Sequence, residues 1–235
     1  GMTWRQVYLI IAIISAVIFV GFIFIKMPSA TTTTKAEKID YKSILSNKLV
    51  YFYMGTLGFY MAAEQNTGAW FVNFMYDNYG FNEKKCSFYA ALFFGMLTIG
   101  RLLGGFVVEK IGYFKSVLLS VASALILYLV GLVLGESGII IISISGLFFA
   151  IVFPTMVVTL SHVFKKNVSY ITGLVVTVGS FIGMLMNLLI GFLNDVIGVY
   201  KTYYIMPTCL LLCLICVFLI YINTRSRSEE HTSEL

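Results

Sequence analysis

One acid stands near the middle of an otherwise apolar run, Glu64 within Leu49–Tyr76. An ionised carboxylate at the centre of a bilayer costs roughly 2.5–3.5 kcal/mol on insertion scales, so Glu64 has to face protein, water or a partner. Burial penalises the charged form of a carboxyl, which suits a group that gains and loses a proton during a cycle. A structural acid hydrogen-bonded to a neighbouring helix is the equal alternative. Gln65, Asn66, Trp70 and Asn73 surround it. Asn66, Trp70 and Asn73 follow at i, i+4 and i+7, so they share one stripe of a helix. Amides for hydroxyls and a flat ring for C–H surfaces are what a sugar needs, and amide packing between helices is the competing reading. Glu64 lies about 200° around a regular helix from Asn66. The two reach one cavity only if the helix is distorted, with Gly68 as the place for it.

Other polar residues are scarce. Asn187 is the one strongly polar residue deep in Val168–Leu193. Arg101 lies near the end of Cys86–Val108, where a long cation can snorkel to the interface. His162 stands one turn from Lys165 and Lys166 and reads as a surface group rather than a proton relay. Cys209, Cys213 and Cys216 recur at helical spacing with no acid or His beside them, and read as small apolar fillers. Gly100-x-x-x-Gly104 and Gly179-x-x-x-Gly183 permit close helix approach. Pro154 withholds a backbone donor and predicts a kink, a candidate gating element.

These residues must be positioned by membrane helices. The chain is 59% hydrophobic and 11% charged over 235 residues, against about 25% charged in an average soluble domain. Seven continuous apolar runs are marked by charged or turn-forming ends: Gln6–Ile25, Leu49–Tyr76, Cys86–Val108, Ser116–Gly135, Gly138–Phe164, Val168–Leu193 and Thr202–Asn223. Each reaches or exceeds the roughly 20 residues that cross a hydrocarbon core. Membrane strands would alternate over about ten residues, whereas these runs are unbroken and read as helices. The first run lacks a following small-residue cleavage site and counts as a span rather than a signal peptide.

The polar segment over 28–48 is the one long polar connection, and it predicts a boundary between a last helix of one bundle (1–27) and a six-helix bundle (49–224). Basic residues divide ten to four between the two sides of an alternating path, which places 28–48 in the cytoplasm. Arg227–Leu235 (RSEEHTSEL) matches the translation of a DNA-sequencing adapter, so 225–235 is read as a short tail of which 227–235 is foreign. Without those nine residues, one basic and three acidic groups drop out and the charge rises from +5 to +7. The opening residues stand just before a span and do not begin with Met, which leads us to expect further helices of the same protein upstream.

At an offset of 86 residues, Gly105–Lys115 (GFVVEKIGYFK) superposes on Gly191–Lys201 (GFLNDVIGVYK). Each closes the middle helix of a three-helix unit, one inside and one outside, the pattern of inverted-topology repeats. By the same offset Asn187 corresponds to Arg101. The first copy, Gly105, Glu109, Lys110, Gly112 and Lys115, preceded by Gly100-Arg101-Leu102-Leu103-Gly104, resembles the loop motif of the major facilitator superfamily. It departs from that motif at Tyr113-Phe114, where basic residues are usual. Tyr60–Glu64 with Gly68–Trp70, and Gly146–Thr155, are similar to the seventh and tenth helices of the fucose, glucose and galactose proton-symporter branch.

The resemblance implies an all-α membrane protein: seven transmembrane helices of a twelve-helix fold, multi-pass in the cell's cytoplasmic (inner) membrane. It implies proton-coupled sugar uptake by alternating access. From their chemistry and spacing, the site residues would be Gln65, Asn66, Trp70, Asn73 and Asn187 for substrate, Glu64 for the proton, and Arg101, Gly105, Glu109, Lys110, Gly112 and Pro154 for the loop motif and gating. A multidrug efflux antiporter on the same fold is the rival, since an intramembrane acid also attracts a cation. No H-E-x-x-H, G-x-S-x-G or phosphate loop is present, so no enzyme is expected. The expected partners are a small-molecule substrate, a proton, the bilayer and the upstream helices, with no cofactor, metal or nucleic acid.

Overall fold

The computed structural model describes residues 3–24 and 41–233. Regular structure among them is entirely helical. Two compact units divide the chain, Gly1–Lys38 and Ile39–Leu235. The first contains α1 (Trp4–Phe24), whose start is held by the Thr3 N–H donating to Gln6 Oε1 at 2.8 Å. Of the polar segment expected over 28–48, residues 28–40 lie outside the described ones.

The second unit begins with α2 (Tyr41–Ser46) and α3 (Lys48–Tyr79). It continues through α4 (Glu83–Ile111), α5 (Tyr113–Val133), a 3-10 turn at Gly135–Gly138, α6 (Ile139–Phe149), α7 (Val152–Val163), α8 (Val168–Ile197), α9 (Val199–Thr202) and α10 (Ile205–Ser233). Among the described residues, six helical stretches are long and apolar enough to cross a membrane: Arg5–Phe24, Glu83–Ile111, Tyr113–Val133, Gly135–Val163, Val168–Ile197 and Val199–Thr224. The seventh expected run is the exception in apolarity. At 32 residues α3 has ample length, about 48 Å at 1.5 Å per residue. Its own polar groups, from Glu64–Thr67 through Asn73 to Asp77 and Asn78, lower its hydropathy.

Local signals fix the ends of α3. The Asn47 side chain accepts the Leu49 N–H at 3.0 Å. Gly80 at φ +63° stops the helix, a left-handed conformation that glycine adopts without steric cost. Helix α3 packs against α8 and α10, and α4 against α6. The glycines expected at contacts are there: a Cβ on Gly100 would strike the Leu147 carbonyl oxygen, and one on Gly104 would strike the Ile151 side chain. On α8, a Cβ at Gly179 would stand 3.1 Å from the Leu57 Cβ, and one at Gly183 3.4 Å from Gln65 Oε1.

The kink expected at Pro154 is a break four residues earlier. Helix α6 ends at Phe149 and α7 resumes at Val152. Pro154 lacks the N–H that would bond the Ala150 carbonyl, so the helix fails where the missing bond falls.

The two repeat copies close their helices in the same way. Gly112 has φ 89°, ψ 155° and Gly198 φ 85°, ψ 153°. The Gly112 N–H bonds the Val108 carbonyl at 2.9 Å, and the Gly198 N–H bonds the Asn194 carbonyl at 3.1 Å. Each glycine carbonyl then accepts the hydroxyl four residues on, from Ser116 at 2.8 Å and Thr202 at 3.0 Å. The copies lie at opposite ends of the bundle. Tyr113 packs beside His162 and Phe114 beside Tyr221 at one end, whereas Tyr200 stacks on Phe74, itself against Tyr79, at the other.

Candidate functional site

Glu64 has a partner. Arg101 on α4 donates through Nη2 to Glu64 Oε1 at 3.1 Å, with the Glu64 side chain 17% exposed and the Arg101 side chain 53%. Arg101 therefore pairs with the acid across the α3–α4 contact. It is paired with Glu64 and not with Glu109, its neighbour in the loop motif. The bond joins α3 to α4 around a half-covered ion pair.

The pair is one turn from a second contact. The Tyr60 hydroxyl donates to the Phe149 carbonyl at 2.8 Å, and the tyrosine is buried. Gly100, immediately before Arg101, lies against Leu147 and Ala150. Three helices thus meet where α6 gives way to α7. In sequence Tyr60 stands out only as part of the Tyr60–Glu64 stretch, with no role of its own, and the signal for one was its i, i+4 relation to Glu64 on one helix face.

The other candidate residues are spread along α3 and α8. Asn66 is fully buried; its Nδ2 donates to the Ala62 carbonyl at 2.7 Å and its Oδ1 lacks a hydrogen-bond partner. The α3 helix runs unbroken through Gly68, which packs against Phe94, so Asn66 and Glu64 stay on different sides. Trp70 sits over Gly191, where a Cβ would stand 3.5 Å from its Cζ2. Gln65 is exposed, with Oε1 near Gly183, and Asn73 is exposed. Asn187 lies one turn from both Gly183 and Gly191, the two glycines that face Gln65 and Trp70. It is half-buried. The stripe of three does not line one cavity, but Gln65, Trp70 and Asn187 belong to one α3–α8 seam.

Residues of the loop motif meet Pro154 in a groove between α4 and α7. Arg101, Gly105, Glu109, Pro154 and Thr155 are among those lining its volume of about 330 Å³. Lys110 is exposed at the end of α4, and Gly112 serves as its cap. Cys209 and Cys213 are buried in the core as free thiols.

A family model of the Major Facilitator Superfamily matches residues 1–170. The chain is 29% identical over 186 residues to Bypass of stop codon protein 6 of Saccharomyces cerevisiae, covering 73% of this chain and 37% of that protein. It is 27% identical over 210 residues to a Glucose/galactose transporter of Brucella abortus, covering 86% of this chain and 50% of that protein. The chain thus spans half or less of the length of these relatives. Among solved structures, FucP in the outward conformation matches with a TM-score of 0.74 at 17% identity, over 92% of this chain and 54% of that one. That likeness is one of fold.

Proposed function

Because this chain belongs to the major facilitator superfamily, we propose that it forms the carboxy-terminal part of a secondary carrier that takes up a sugar together with a proton by alternating access. The observation that carries the reading is the Glu64–Arg101 pair, an acid near the middle of α3 held by a cation on the next long helix. Protonation of Glu64 would remove the attraction and free α3 from α4 beside the α6–α7 break. The neutral amides and the indole along the α3–α8 seam suit hydroxyl groups, and the Brucella relative named for glucose and galactose supports that substrate class. Residues 1–27 would be the last helix of the other bundle and 28–48 a cytoplasmic linker. The end carrying Lys110, Lys115, Lys165 and Lys166 would face the cytoplasm of the cell membrane.

A cation-exporting antiporter fits less well, since Glu64 already has a guanidinium as its counter-ion. The deciding experiment uses the full-length gene product in liposomes under an inward proton gradient. Labelled glucose, galactose and fucose should accumulate, while Glu64→Gln should lose accumulation yet keep sugar exchange at equal concentrations. Gradient-driven movement of lipophilic cations, with no sugar uptake, would establish the antiporter instead.

A further inference from the structure

Four buried side-chain polar atoms lack a hydrogen-bond partner among the described residues: Thr56 Oγ1, Asn66 Oδ1, Trp70 Nε1 and Asn194 Nδ2. Native structures leave few such groups. Two of them are donors near one end of the α3–α8 seam. Trp70 reaches α8 at Gly191, and Asn194 stands one turn further along the same helix. An indole N–H can only donate, and the free Nδ2 is also a donor, so the pair calls for an acceptor oxygen.

The repeat shows that the Asn194 amide is not needed to build the fold. Its counterpart Val108 accepts the Gly112 N–H through its backbone, as Asn194 accepts the Gly198 N–H. The two turns have nearly identical glycine conformations, and one of them is made without any amide side chain. What the amide adds is a donor one turn along α8 from Gly191, the glycine that Trp70 covers.

We propose that Trp70 and Asn194 form a hydroxyl-binding subsite at the end of the α3–α8 seam remote from the basic loops, a place distinct from the Glu64–Arg101 pair. Its ligand is an uncharged polyol or sugar, because Gln65, Trp70, Asn187 and Asn194 are all neutral. One hydroxyl oxygen accepts from the indole N–H and the Asn194 amide while the ring covers a C–H face. The inference rests on the sugar reading above and adds Asn194 and the position of a subsite to it.

The test uses the full-length protein in liposomes, with labelled glucose and galactose and their single-deoxy analogues. Asn194→Val installs the residue of the equivalent turn and should leave the melting temperature intact. It should raise the sugar KM about three- to tenfold, the worth of one net hydrogen bond, with a much smaller effect on kcat. One deoxy analogue that wild type handles poorly should then lose its disadvantage in the variant. Trp70→Phe should raise KM too, and the double variant should fall short of the product of the two single effects. Sugar uptake by wild type with an unchanged KM in Asn194→Val overturns the subsite alone. A parallel fall in melting temperature and kcat does the same by making Asn194 structural. If wild type takes up no neutral sugar, the subsite and the functional reading fall together.

Discussion

The Tyr60 hydroxyl bonds the carbonyl of Phe149 at 2.8 Å, tying the middle of α3 to the last residue of α6. Carbonyls at a helix C-terminus lose their intrahelical donors, and in an apolar core water does not replace them. A tyrosine one turn before Glu64 therefore supports the break that Pro154 creates in the neighbouring helix. Its ring also packs near that of Phe149, with centroids 6.2 Å apart.

Tyr60→Phe keeps the ring and deletes the donor. The buried carbonyl is left unpaired, and the expected loss of stability is about 1–3 kcal/mol. Thermal unfolding in detergent should show it, whereas Tyr51→Phe, exposed on the same helix, should unfold with wild type. Equal melting of Tyr60→Phe and wild type would mean that the α6 end does not rely on this bond.

The Glu64–Arg101 pair predicts a mutational cycle. Arg101→Gln leaves a mostly covered carboxylate without its counter-ion and should destabilise by on the order of 1–3 kcal/mol. That lies between the values for exposed and fully buried pairs, because the Arg101 side chain is half exposed. Glu64→Gln should cost less, since Arg101 is the less covered of the two partners. The double variant should recover most of the Arg101→Gln loss, and additive losses in thermal unfolding would show that the two groups act independently.

Gly112 and Gly198 predict matched penalties. Their φ near +85° to +89° with ψ near +155° is backbone territory that is essentially glycine's own, and another residue held there costs about 1–3 kcal/mol. Gly112→Ala and Gly198→Ala should each lower stability within that range and by similar amounts. There is open space around both positions, so the effect isolates conformation from packing. A neutral outcome at either would mean the turn relaxes without its glycine.

The repeat, the spans and the glycine contacts were legible because each depends on local spacing. A three-helix unit that ends G-x-x-x-x-x-x-Gly-x-x-Lys shows itself by self-comparison, and small residues four apart mark a helix face before any partner is known. Pairing between helices was not legible. Arg101 read as a snorkelling end residue because its distance from the interface is visible in sequence, while the rotation that aims it at Glu64 is set by α4 packing on α6. Asn66 shared a stripe with Trp70, yet its side chain turned back on the Ala62 carbonyl. Asn194 was hidden inside the repeat, where its correspondence with Val108 looked like drift.

Glycines along the helices separate into two kinds, and the distinction can be tested without any transport assay. Gly95 and Gly173 lie inside α4 and α8 with nothing within 4 Å of a built Cβ, whereas a Cβ on Gly104 would run into Ile151 and one on Gly146 into the Phe93 carbonyl oxygen. Alanine at Gly95 or Gly173 removes backbone freedom from the unfolded chain and should stabilise by up to about 1 kcal/mol. Alanine at Gly104 or Gly146 gains the same helix propensity but presses α4 against Ile151 in the α6–α7 break or α6 against Phe93, and overpacking of this kind costs about 1–3 kcal/mol. Thermal unfolding of the four variants should therefore split in sign, two at or above wild type and two below. If all four rise together, the α4–α6 approach does not depend on the missing side chains, and close packing beside the Arg101 turn is not what holds that junction.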